Sequence, residues 1–296
     1  MPHPSTWGRA FQRWANDVRV EYTTQGGSDL GGGLRERETS LRIDLANGVA
    51  LVEHYQPSSE QGGEALGTFK AGVPPDLCAN VREAVERSHL NDIRAGSHGG
   101  LGTTILCIRA IGGVDRQETR FSNRDVPTLT ALQPLIHLLD EVRGIVIMQP
   151  LHAVTLGIKE RRASADIVYD IAIKNVGTEA VALPGLLSLS ASDPNLAHPQ
   201  RWLGARIAAY PPERPGFTAL PLAWSHLALA MTGGEAYASI ILESGATTTC
   251  QTRPWVASAA GRHLVQATFA FYAPPAPLGP PLIRGCALSP AIEVEP

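Results

Sequence analysis

Between Asp166 and Asn175 the chain alternates with period two. Ile167, Tyr169, Ile171 and Ile173 fall on one side, and Val168, Asp170, Ala172 and Lys174 on the other. Successive strand side chains point to opposite faces, so this run has one solidly apolar face that a second layer must cover. Asn175-Val176-Gly177 closes the run, Val181 and Leu183 resume it, and Pro184-Gly185 stops it again. From Val154 to Phe271 no helical period holds and turn residues keep recurring, which predicts an all-β region beginning just after Pro150.

Three stretches of that region carry a resemblance. Asp166-Ile-Val-Tyr-Asp-Ile-Ala-Ile-Lys-Asn-Val-Gly, Ile240-Ile-Leu-Glu-Ser-Gly-Ala and Gly261-Arg-His-Leu-Val-Gln-Ala together resemble bacterial immunoglobulin-like domains. Those domains show an alternating strand closed by Asn-x-Gly, then a Leu-x-Pro-Gly turn, then a final Gly-x-Tyr-x-Val-x-Ala strand. Here Ser244 stands at the Pro position and His263-Leu264 at that of the Tyr. The resemblance covers residues 152–273. It implies an immunoglobulin-like β-sandwich and, its motifs being structural, assigns no ligand. Residues 151–296 are expected to form this sandwich, with the Pro-rich stretch Ala273 to Pro281 leading to a last edge strand near Ile283. Ser192 to Pro221, rich in Pro, His and Arg, is longer than a strand connection and is expected to decorate one end.

Residues 1–150 mix both periods. Trp7, Phe11, Trp14 and Val18 form one stripe of a short amphipathic helix capped by Ser5 or Thr6. A strand follows from Val18 to Tyr22, then a Gly-rich loop from Gln25 to Gly33. Leu41, Ile43 and Leu45 alternate, Asn47-Gly48 interrupts, and Val49 and Leu51 resume. A three-residue loop with Gly48 left-handed would pair Leu45 with Val49 and Ile43 with Leu51. Pro74-Pro75-Asp76 opens a helix with Leu77, Val81, Ala84 or Val85, and Ser88 inward, ended by Asn91 and Gly96. A second hairpin joins Thr103–Ala110 to Val114–Phe121 across Gly112-Gly113. Pro127 then precedes a helix bearing Leu129, Leu132, Ile136 and Leu139, with Pro134 either breaking it or opening a second short helix. The order predicts an α+β domain, an antiparallel sheet with two main helices on one face.

Composition narrows the function classes. The 296 residues carry a net charge of −3 and no basic run longer than Arg161-Arg162 with Lys159 nearby, which argues against nucleic acid as a partner. No stretch approaches the roughly 18 apolar residues of a membrane span. Cys78, Cys107, Cys250 and Cys286 lie far apart without a CxxC pair, and cytoplasmic residence is the simplest expectation.

Catalytic patterns are weak. Nine histidines form no His-x-His and no HExxH. Gly96-Ser97-His98-Gly99-Gly100-Leu101-Gly102 precedes a strand instead of opening a helix, so it suits neither a nucleophile elbow nor a phosphate cradle. Cys107 lies in the apolar alternation Ile105 to Ile111 and reads as a sheet-face thiol. No catalytic residue, metal or cofactor is assigned. The cluster that stands out is Trp224-Ser225-His226, with His198 and Trp202 about twenty residues earlier.

The leading expectation is therefore a non-catalytic protein that binds another protein, an adaptor, immunity-type or assembly component. Its candidate contact residues are Trp7, Phe11, Trp14, His198, Trp202, Trp224 and His226. One alternative is a hydrolase-like enzyme using scattered residues such as His54, His98 and His137. Another is a structural subunit pairing through sheet edges.

Overall fold

The structure, a computed structural model, describes residues 18–26, 37–55, 62–93, 104–112, 115–122, 125–163, 166–185, 201–210, 224–230, 239–256, 261–271 and 280–295. The described residues form mostly antiparallel β-sheet with two α-helices. The described residues fall into two compact units. One takes in 18–26, 37–55, 68–93 and 104–150, the other 62–67 and the chain from 151 onward.

The first unit contains β1 (Val18–Gly26), β2 (Arg37–Asp44), β3 (Val49–Tyr55), most of β4 (Leu66–Gly72), α1 (Pro75–Ser88), β5 (Thr104–Gly112), β6 (Asp115–Ser122) and α2 (Gln133–Val146). Its strands run in the order β4-β3-β2-β1-β5-β6. Val20, Tyr22, Leu41, Ile43, Ala50, Val52, Ile108 and Ala110 are buried on one face. The helices pack on each other, and α2 on β3.

The predicted first helix is present, with Pro75 in its first turn and Asp76 and Arg87 placed to complement its dipole. It ends earlier than Asn91 and Gly96 suggest, because His89 turns left-handed at φ 45°. The second helix starts at Gln133, so Pro134 opens it as one of the two options required, and Leu129 lies outside. Among the described strands of this unit, β4, which no period announced, is the one missed.

The hairpin of β2 and β3 differs from expectation. Asp44 pairs with Val49 and Ile43 with Ala50, leaving a four-residue loop from Leu45 to Gly48. Ala50 and Val52 are buried instead of Val49 and Leu51. The cause is Asp44, whose carboxylate accepts the N–H groups of Ala46 and Asn47, each at 3.1 Å, and the Asn47 amide at 2.7 Å. That cap leaves Leu45 outside the strand ladder, with its side chain buried. Gly48 is left-handed at φ 62°, as expected. In the second hairpin Gly112 still pairs, with Asp115, and Gly113 lies outside the described residues.

The opposite face of this sheet is charged. Glu53, Arg42, Glu21, Arg109, Glu118 and Arg116 alternate in sign across five strands. Arg42 lies 3.1 Å from Glu53, Arg109 lies 2.8 Å from Glu21 and 3.0 Å from Glu118, and Arg116 also pairs with Glu118.

The second unit contains β7 (Pro150–Ala163), β8 (Asp166–Asn175), β9 (Val181–Leu183), β10 (Arg201–Ala209), β11 (Ser225–Ala228), β12 (Ile240–Leu242), β13 (Thr247–Gln251), β14 (His263–Phe271), β15 (Gly285–Leu288) and β16 (Ile292–Val294). No helix occurs among its described residues. One run of strands is β13-β8-β7, a second is β11-β10-β14-β15 with β16 also on β14, and β12 pairs with β9. Their apolar faces share a core: Leu156, Ile171 and Ile173 pack with Leu203, Ala267 and Phe269. The apolar face of β8 is buried as its alternation requires.

Asn175 closes β8 by accepting the Gly177 N–H and donating to the carbonyls of Glu179 and Leu242, each at 2.9 Å. Residues 62–67 join this unit because Gly63 donates to the Leu288 carbonyl at 2.9 Å. Two expectations are corrected. Residues 201–209, placed in a decorating segment, are an inner strand, since Leu203, Ala205 and Ile207 supply a core face. The last segment gives two strands on β14 instead of one edge strand, and Ile283 bonds Ala182.

Candidate functional site

The second face of β10 carries Trp202, Gly204 and Arg206, since the core face takes the residues between them. Register sets His226 of β11 and Gln266 of β14 beside Arg206, and Thr268 beside Gly204. Three of the aromatic residues proposed from sequence are thereby brought together. The His226 ring meets Trp202 edge-on at 5.8 Å, and the Arg206 guanidinium lies 4.1 Å over the Trp224 ring. Gly204 makes room for this. A β-carbon there would sit 2.5 Å from the Leu227 carbonyl oxygen and 2.5 Å from the Trp202 ring.

A hydrogen-bond network fixes the cluster from beneath. Trp202 Nε1 donates to Thr268 Oγ1 at 2.8 Å, and the Arg206 guanidinium donates to Gln266 Oε1 at 3.0 and 2.5 Å. Gln266 Nε2 donates to the Ser289 carbonyl at 3.2 Å, and Ser289 Oγ accepts the Ala267 N–H at 2.9 Å. Arg206 is only 6% exposed and Trp202 2%, whereas Trp224 and His226 are half-buried. Trp202 is therefore buried in this unit, while Trp224 and His226 keep part of their surface open. Burial, and secondarily the Arg206 charge, holds the His226 imidazole below its ordinary range and so neutral.

Trp7, Phe11, Trp14, His98 and His198 lie outside the described residues, as does the His54 side chain. His137 is exposed on α2, three residues before Asp140, whose carboxyl burial pushes up. Among the described residues no three His, Cys, Asp or Glu side chains converge as a metal set, and no helix is long and apolar enough to cross a membrane. The edge strand β6 is guarded. Asn91 and Asp125 side chains accept its Glu118 and Ser122 N–H groups at 3.0 Å, and Arg116 and Arg120 stand exposed along it.

Sequence reasoning missed a second aromatic group. Trp255 lies 6.3 Å from Tyr169 and 5.0 Å, edge-on, from His263. Its signal was present in the alternation, which puts Tyr169 among inward isoleucines and His263 in phase with Val265 and Ala267.

No known family model matches the chain, and no curated protein matches it.

Proposed function

We propose that the chain is a non-catalytic protein-binding component, an adaptor, immunity-type or assembly protein. In this reading its second unit is an immunoglobulin-like β-sandwich that offers Trp224 and His226 to a partner protein. The observation that carries the reading is Trp224, half-buried and stacked 4.1 Å from an Arg206 guanidinium that is itself tied to Gln266. An aromatic ring held in place before binding loses little freedom on binding, and Trp and Arg dominate interface energetics. The neutral His226 beside it adds a polar contact without a charge to desolvate.

The finer fold assignment draws support from antiparallel strands sharing one core and from the Asn175-Val176-Gly177 closure. β11 adds to it, pairing with β10 and then passing at Leu229 to a bridge with Thr252.

The test is capture from lysate of the native host with wild-type protein and with Trp224→Ala, both checked for folding by circular dichroism. The reading expects a single stoichiometric partner retained by the wild type and lost by the variant. Equal retention overturns the site. Substrate turnover abolished by His137→Ala, with no partner found, overturns the class.

A further inference from the structure

We propose that the Trp224 surface is a proton-operated switch: when His226 takes up a proton, Trp224 leaves its seat on Arg206 and the contact surface comes apart. The biological use of the switch rests on the protein-binding reading, while the switch itself belongs to the chain alone.

The two side chains that decide it stand directly opposite each other. Arg206 of β10 and His226 of β11 are cross-strand partners, and each lies against an indole. The guanidinium is 4.1 Å from the centre of the Trp224 ring, and the imidazole meets Trp202 edge-on at 5.8 Å. This arrangement is stable while one member is neutral, because like charges on opposed strand positions repel. Arginine keeps its proton at every working pH, so the charge state of His226 decides.

The neighbouring strands do not offset a second charge. β14 sets Gln266 and Thr268 beside Arg206 and Gly204, and neither side chain ionises. On the outer side of β11, Arg253 donates its backbone N–H to the Ala228 carbonyl at 2.8 Å, and its side chain is exposed. Among the described residues, the charged groups that strand pairing places beside β11 are thus Arg206 and Arg253, both cations. Burial, and secondarily Arg206, holds the imidazole below its ordinary range, so it is neutral near pH 7 and charges only in acid.

The parts differ in how firmly they are held. Arg206 is almost wholly buried and tied to Gln266, which is itself bonded to the Ser289 carbonyl. His226 is half-buried on β11, the last strand of its sheet and four residues long. A protonated His226 therefore turns out toward water while Arg206 stays. Trp224, two residues earlier on the same face, is carried off the guanidinium with it. A partner that reads the seated indole then loses its anchor.

The chain alone is titrated from about pH 7.5 to about pH 4.5 and followed by NMR. The His226 Cε1–H is assigned with His226→Gln and the Trp224 indole N–H with Trp224→Phe. A methyl resonance of Ile171, in the core, reports whether the unit stays folded. The expected result is a Trp224 shift with the same midpoint as His226, below the ordinary 6.5, while Ile171 stays fixed. In His226→Gln, neutral throughout, the Trp224 shift is lost. A Trp224 resonance that stays fixed while His226 titrates, or moves equally in His226→Gln, overturns the switch. So does loss of the Ile171 signal at the same midpoint, which would be unfolding of the unit. The two wild-type midpoints decide even without the variant. No partner enters this experiment, so its failure is distinct from a failed capture.

Discussion

The two units each carry a sheet with a polar face, and they handle polarity in opposite ways. On the first sheet, charges alternate from Glu53 to Arg116 and stay in contact with water, with side-chain exposures between 20% and 56%. On the second, Arg206, Gln266 and Thr268 are almost wholly buried, and a guanidinium is held by a neutral amide and an indole face. Water and salt screen the first arrangement, so its members are individually dispensable. The second is desolvated, so each member depends on the others. A face of the first kind keeps a sheet soluble, whereas one of the second kind holds chosen side chains in fixed positions.

The contrast is broken or sharpened most strongly at Arg206. Arg206→Ala removes the cation under Trp224 and the donor to Gln266. It should cost about 3 kcal/mol in chemical denaturation. Gly204→Ala comes next, at about 2 kcal/mol, because the new β-carbon meets the Leu227 backbone as well as the Trp202 ring. At the other extreme Arg42→Ala should cost under about 1 kcal/mol, and molar salt should erase the difference. Equal costs at Arg206 and Arg42 would remove the distinction.

Acid separates the faces by pH window. The folded His226 has a lowered pKa, so its contribution is fully present above its ordinary value of 6.5 and is lost as pH falls through the lower folded value. Glu118 is held down to about 2, first by hydrogen bonds from Arg109 and then from Arg116. Its contribution is present above its ordinary 4.5 and is lost as pH falls from there toward 2. A stability titration should show a first decline below about 6.5 that His226→Gln flattens and Glu118→Gln leaves in place. The reverse pattern would mean that the burial of His226 does not set its charge.

Much of the fold is local and therefore legible. The Ile167 to Ile173 alternation, the Pro75 helix start and the Asn175-Val176-Gly177 stop each act within a few residues. The β2–β3 loop was missed because one side chain, Asp44, changed the register, and period alone does not weigh a cap. β10 was hidden because its outward face carries Trp202 and Arg206, residues that look like surface until a neighbouring strand covers them. The site was half visible. Trp224 and His226 stand two residues apart in sequence, but Gln266 meets Arg206 only through a cross-strand register sixty residues away, which no local pattern encodes.

The most direct test of the central claim compares the two faces in binding. The affinity of the captured partner is measured for Trp224→Ala and for Arg109→Ala, which alters the water-facing ladder, at temperatures where both variants are folded. The account predicts a loss of about thirty-fold or more for Trp224→Ala and a change within about two-fold for Arg109→Ala. An unchanged affinity for Trp224→Ala, or a comparable loss for Arg109→Ala, would contradict it.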